Sequence, residues 1–357
     1  MTEQNHKQDS SGEDQELFEH FRIEVDPGQK LLRIDKFLMN RIENASRNKI
    51  QNAAKAGNIL VNDKEVKPNY KVHPGDVISV VLSHPPREIE IIPQEIPIEI
   101  VYEDKDILLV NKSAGMVVHP AYANFEGTLL NALAWHIQNR SETPNEEGQA
   151  YLVHRIDKDT SGLILSAKNE LAQSRLGKQF FDHAVEREYR AIVWGDLKEE
   201  TGTIEGNIGR DPRDRKRMCV FPSGEHGKEA ITHYEVVQRF GYVTLIKCRL
   251  ETGRTHQIRA HMKYLKHPLF NDATYGGDKI LKGTTFTKYR QFISNCFKLL
   301  PRQALHAKSL GFVHPLSGKK MFFDSELPED MQGVIDKWEH YTRHVGDGSD
   351  ERMLTSE

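Results

Sequence analysis

"HRIDKDTSGLILSA", residues 154–167, crowds His154, Arg155, Asp157, Lys158 and Asp159 ahead of a Thr-Ser-Gly turn and an apolar run. A short apolar run bounded by turn residues reads as a buried strand, so 163–167 is expected in the core with charge at its mouth. Charge taken out of water needs a partner or a hydrogen bond. Two readings stand open from these residues: a solvated, capped turn, or a carboxylate held for chemistry.

Working outward, 357 residues suffice for a sizeable core and two or three domains. A composition of 38% hydrophobic and 28% charged residues is that of an ordinary globular chain. The apolar runs are too short to span a bilayer, and the polar start has no apolar segment of the signal-peptide kind. Cys219, Cys248 and Cys296 form no CxxC pair, which argues against a disulfide framework or a cysteine-rich zinc site and fits the cytoplasm. His256 and His261 lack the glutamate of a helical zinc motif, and no glycine-rich nucleotide loop occurs. No metal, cofactor or membrane is expected. The net charge of −3 hides an acidic start and a basic stretch, "GRDPRDRKR" at 209–217, and such patches matter more than the sum when the partner is a polyanion.

The expected organisation is an acidic tail over 1–20, a small domain over 21–84, a linker over 85–97, a larger domain over 98–335 and a polar tail over 336–357. In the small domain, Ile34, Phe37, Leu38 and Ile42 have helical spacing. Ser46 suits the cap of a second helix and Gly57 its end, with short strands at 59–61 and 77–82. Arg33, Lys36, Arg47, Lys49 and Lys55 would give these helices basic faces, either a platform for a phosphate backbone or simple solvation. In the larger domain, helices are expected at 127–139, 169–182 and 255–266. Strands are expected at 98–103, 107–111, 163–167, 188–194, 229–238, 242–250 and 303–312. The tight Phe-Gly turn between 229–238 and 242–250 predicts a hairpin, hence an α+β domain with a mixed, largely antiparallel sheet. Residues 279–300 read as added length between two motifs, either a substrate-contacting insertion or a surface helix, the latter preferred.

Two further stretches set reactive side chains beside core elements. "REYRAIVWG", 187–195, carries Tyr189 at a strand start. "ETGRTHQIRAHM", 251–262, leads into a helix whose inward face is Ile258, Met262 and Leu265, with Arg259 at its edge. Singly, each has an ordinary structural explanation. Together with "HRIDKDTSGLILSAKN" they resemble the RluA/RluD family of pseudouridine synthases. The flanks "DILLVNKSAGMVVHP", "IGRDPRDRKRM", "HPLFNDATYGG" and "RQALHAKSLGFVHP" agree in order. "RIDKFLMNRI", "SRNKIQNAAKAGNILVN" and "VKPNYKVHPGDVI" resemble the S-four-like RNA-binding domain. The likeness covers roughly residues 31–330; Ser113 and Asn271 depart from the family's usual proline and glycine.

The resemblance implies isomerisation of uridine in a structured RNA. Asp157 falls on the family's nucleophile, Arg259 on its arginine partner and Tyr189 on its base-stacking tyrosine. Arg155 falls on the arginine that enters the space left by the uridine. His154, Lys158, Arg254 and His256 are expected to meet RNA, while Asp159 and Thr160 shape the turn. Large-subunit ribosomal RNA, free or in an assembling particle, is the expected substrate of a monomeric enzyme, with transfer RNA as the alternative. A non-catalytic ribosome-assembly factor is the reading from another class.

Overall fold

The computed structural model describes residues 18–39, 41–42, 47–82, 91–120, 125–145, 148–214 and 217–346. Most of the expected acidic tail, and the Ser46 cap, lie outside the described residues. The chain divides into two compact units, 1–91 with 120–125, and 92–119 with 126–357.

The first unit runs β1 (Phe18–Glu24), β2 (Leu32–Arg33), α1 (Ile34–Met39), α2 (Arg47–Lys55), β3 (Ile59–Val61), β4 (Lys64–Glu65), β5 (Lys71–Val72) and β6 (Val77–Leu82). β1, β6, β3 and β4 make one sheet in that order. Ile34, Phe37 and Leu38 bury the inner face of α1 with Ile50, Ile59 and Ile78, the i, i+3, i+4 stripe of a core-facing helix. Gly57, at φ +75°, follows α2 as expected. Asp35 is fully buried and ties the two helices together. Its carboxylate accepts both Nε and Nη2 of Arg33 (3.1 and 2.8 Å), Nε of Arg47 (3.1 Å) and Nε2 of Gln51 (2.7 Å). Burial pushes this carboxyl up, but hydrogen bonds from Arg33, Gln51 and Arg47 prevail and hold it far below the carboxylate range.

The second unit opens with β7 (Glu99–Glu103), β8 (Ile107–Lys112), α3 (Leu129–Asn139), β9 (Tyr151–Leu152), β10 (Ser161–Ala167), α4 (Glu170–Phe181) and β11 (Glu186–Trp194). It continues through β12 (Thr201–Glu205), β13 (Asn207–Arg210), β14 (Met218–Phe221), β15 (Ile231–Arg239), β16 (Val243–Leu250) and α5 (Gln257–Tyr264). It closes with α6 (Thr287–Leu299), β17 (Leu305–Val313), β18 (Lys320–Asp324) and α7 (Glu329–Gly346). Among the described residues, one large sheet has the order β12-β15-β16-β11-β17-β10-β8-β7, with β9 on β10 and β18 on β17. β15 and β16 form the expected antiparallel hairpin. The fold is therefore α+β with a mixed, largely antiparallel sheet.

One pairing breaks the antiparallel pattern. β10 meets β17 in parallel, through Ser161↔His306 and Gly162↔Ala307. Gly162 sits at φ +116°, and a Cβ there would lie 2.2 Å from the Ala307 carbonyl oxygen, so only glycine fits. The charged 154–160 loop enters the sheet at this junction.

Two expectations fail on packing. The 279–300 segment is not a surface addition: α6 buries Tyr289, Ile293 and Cys296 in a core shared with Trp194, Phe240 and Phe270. Nor does a polar tail begin at 336, because α7 crosses that boundary and buries Val334, Ile335 and Trp338 in the same core. The second half of the expected linker also packs in this unit: Asn131 Nδ2 donates to the Ile92 carbonyl (2.9 Å) and the Gln94 N–H to the Asn131 carbonyl (3.1 Å). No helix among the described residues is long and apolar enough to cross a membrane. Because Trp338 is fully buried between α6 and the sheet, Trp338→Ala should lower unfolding free energy by about 3–5 kcal/mol, read as an earlier denaturant midpoint.

Candidate active site

Three consecutive carbonyls of the 154–160 loop are held from within the protein. The Asp157 carbonyl accepts the Thr160 N–H (3.1 Å). The Lys158 carbonyl accepts Lys112 Nζ (2.7 Å) and the Gly115 N–H (3.0 Å). The Asp159 carbonyl accepts Arg302 Nη1 (3.0 Å). Lys112 is buried and donates besides to the carbonyls of Ser113 (2.8 Å) and Met116 (2.9 Å). Burial pulls its ammonium down to about 7, against the opposing pull of Asp159 and Asp157.

On this pinned loop the Asp157 side chain keeps about a fifth of its surface open. Arg259 Nη1, from α5, donates to Asp157 Oδ2 at 3.0 Å, and His256 Nε2 lies 3.9 Å from the same oxygen. Burial raises the Asp157 carboxyl, but the charges of His256, Arg259 and Arg155 and the Arg259 hydrogen bond outweigh it and leave it below its ordinary range. Arg259 is itself buried, contrary to the edge position expected for it. Asp272 takes its Nε (2.8 Å) and Nη2 (3.0 Å) in a fork, and the Tyr275 ring lies 5.1 Å from its guanidinium carbon. Tyr275 also links neighbours: its hydroxyl accepts the Met218 N–H (3.0 Å) and bonds His256 Nδ1 (3.1 Å).

Tyr189, on β11, turns a buried ring toward the same place. Burial raises its hydroxyl pKa, Arg187 opposes that rise and the Asp157 charge adds to it. The structure thus gathers residues 157, 189, 256 and 259 around one carboxylate. Arg155 is exposed beside them and Lys158 half-buried. Arg254 spends its Nε on the Glu229 carbonyl (2.9 Å).

His154 is half-buried and engaged within the protein. Its Nε2 accepts the Leu165 N–H (2.8 Å) and its ring stacks on Phe180 (4.6 Å). Burial, aided by Arg187, lowers its pKa to about 3, so it braces the loop as a neutral ring. In the first unit, Arg33 and Arg47 each pair with Asp35 while their side chains stay partly exposed, and Lys36 and Lys55 are exposed. The Lys49 side chain lies outside the described residues. The sequence reading assigned no role to Asp272, Tyr275, Lys112 or Arg302. A lone acid in "LFNDATYGG" was the available signal for Asp272.

Asp104, Asp106 and His314 are the one group of possible metal ligands among the described residues, but their atoms are engaged. Asp104 accepts the backbone N–H groups of Asp106 and Ile107, the Tyr102 hydroxyl and His314 Nε2. Asn169 donates to Asp106, and His314 Nδ1 accepts two backbone N–H groups.

The RNA pseudouridylate synthase family profile matches residues 106–264, and the S4 domain profile matches 32–78. An uncharacterized RNA pseudouridine synthase of Chlorobaculum parvum is 46% identical over 88% of this chain and 96% of its own. Ribosomal large subunit pseudouridine synthase D of Zymomonas mobilis is 40% identical over 84% of this chain and 92% of its own. The human RNA pseudouridylate synthase domain containing 1 structure has a TM-score of 0.50 at 23% identity, over 70% of this chain and 96% of its own; that likeness is one of fold.

Removing the buried fork on Arg259 leaves a guanidinium short of partners. Asp272→Ala should therefore cost about 3–5 kcal/mol of stability, measurable by equilibrium denaturation.

Proposed function

The chain belongs to the RNA pseudouridine synthases, and from that premise we propose that it isomerises specific uridines of large-subunit ribosomal RNA with Asp157 as nucleophile. The observation that carries this reading is the Arg259–Asp157 bond, with Arg259 itself locked by Asp272. The ribosomal target is favoured by relatives named for that activity at 40–41% identity.

The isomerisation exchanges the N1–C1′ bond of uridine for a C5–C1′ bond, with a proton lost from C5 and one gained at N1. No net redox change accompanies it. A carboxylate kept ionised can attack C1′ as N1 departs, then leave as C5 bonds to the same carbon. Arg259 serves this by holding Asp157 charged and oriented. To be reached, the uridine must leave its stack at about a few kcal/mol. The Tyr189 ring offsets about 1–3 kcal/mol by stacking, and exposed Arg155 can occupy the vacated space.

Ribosomal RNA labelled with tritium at uridine C5, from cells lacking this gene, tests the reading. The parent protein should release tritium, and Asp157→Asn should lower release at least about a thousandfold with RNA affinity kept. Binding without release from any RNA would instead point to the non-catalytic assembly factor; release from transfer RNA alone would move the target.

The pH dependence carries a sign. With the Asp157 carboxyl below its ordinary range, the rate should hold on acidification through the range where an ordinary carboxylate protonates. Arg259→Gln, by removing a cation that favours the charged form, should move that acid limb to higher pH in single-turnover profiles.

In the first unit, Arg47→Ala, Lys49→Ala and Lys55→Ala together should weaken RNA binding and flatten its salt dependence by up to about 3 in log–log slope. An unchanged slope, read by filter binding at several salt concentrations, would remove the platform role.

A further inference from the structure

Arg302 is a buried cation that the proposed chemistry does not use. It stands between α6 and β17, and its donors reach three separate parts of the second unit. Nε and Nη2 fork onto Asp330 in the first turn of α7, at 2.7 and 2.9 Å. Nη2 also meets Ser161 Oγ (3.3 Å). Nη1 is shared among the carbonyls of Asp159 (3.0 Å), Leu305 (3.1 Å) and Gln303 (3.3 Å).

We infer that the Arg302–Asp330 pair is a positioning device for the reacting carboxylate, with α7 holding Arg302 and Arg302 holding the loop two residues beyond Asp157. The inference rests on the reading of Asp157 as nucleophile. A buried ion pair is a poor source of stability compared with apolar packing of the same volume. What its charge supplies here is fixed geometry. A planar guanidinium forked on a carboxylate cannot swivel, so its remaining donors have fixed directions, and among their acceptors are the Asp159 carbonyl and Ser161 Oγ. Lys112 grips the preceding carbonyl, and Arg259 fixes the Asp157 side chain from the cleft. The nucleophile is thus held in front by its side chain and behind by its backbone. Displacements of about 1 Å at a reacting group cost about a hundredfold in rate, which gives such a rear support its value. It also explains why α7, whose body packs through Trp338 against α6 and the sheet, carries in its first turn an acid bonded to Arg302.

The test uses the full chain with Asp330→Asn, Asp330→Glu and, as a control in the same helical turn, Glu329→Gln. Asp330 keeps 28% of its side-chain surface exposed, so an uncharged amide there can be solvated. Three quantities are read: the single-turnover rate on saturating ribosomal RNA, RNA affinity, and amide hydrogen exchange of segment 154–162 in the free protein. Asp330→Asn should slow turnover at least about tenfold with affinity kept within about twofold, and should speed exchange at 154–162 while 243–250 stays as in the parent. Asp330→Glu should recover most of both effects, and Glu329→Gln should show neither. Parental turnover and parental loop exchange in Asp330→Asn would overturn the inference. So would a rate loss that merely follows the folded fraction on thermal melting, or one that Glu329→Gln reproduces. Failure of the nucleophile reading looks different: Asp157→Asn would stay active while Asp330→Asn still loosened the loop.

Discussion

Everything in the catalytic unit bears on one guanidinium. Arg259 is buried, so its charge must be answered inside the protein, and two carboxylates answer it from opposite directions. Asp272 takes the fork and fixes the plane. That aims Nη1 at Asp157, whose own surroundings then favour its charged form over the burial that opposes it. The arrangement resolves the cost of putting ions where water is scarce: each is compensated, but only in one geometry. A family that makes and breaks bonds at a sugar carbon has a use for a carboxylate that is both charged and immobile.

That immobility is built from elements far apart in the chain. α5 brings Arg259, β11 brings Tyr189, β8 ends in Lys112, and the start of α7 reaches the loop through Arg302. The parallel meeting of β10 and β17 brings the loop against the Arg302 segment, and Gly162 makes the close approach sterically possible. The α6–α7 layer is therefore more than a cover for Trp194 and Phe270. It supplies both a second core and a rear anchor.

The small unit follows the same rule on a lesser scale. A buried Asp35 gathers Arg33, Arg47 and Gln51 and joins α1 to α2. Two of the bases read from sequence as phosphate contacts thus begin as ion-pair partners of the protein itself. Lys36 and Lys55 remain on the surface.

Local pattern was enough for much of this. Period-two runs and turn residues located the β15–β16 hairpin and helical spacing located α3, α4 and α5, whereas Asp157, Tyr189 and Arg259 were singled out by the likeness of three charged motifs to a known family. Amphipathic spacing and turn chemistry act over a few residues, so they are legible along the chain. Pairings were not. Only the family resemblance linked Arg259 to Asp157, 102 positions away, and nothing linked Arg302 to Asp159 across 143, because no periodicity connects such residues. The same blindness hid that the His154 ring is engaged by Phe180 and the Leu165 N–H, and turned α6 and the end of α7 into periphery. Their polar composition showed what faces water; which few side chains the sheet would cover was decided only by tertiary packing.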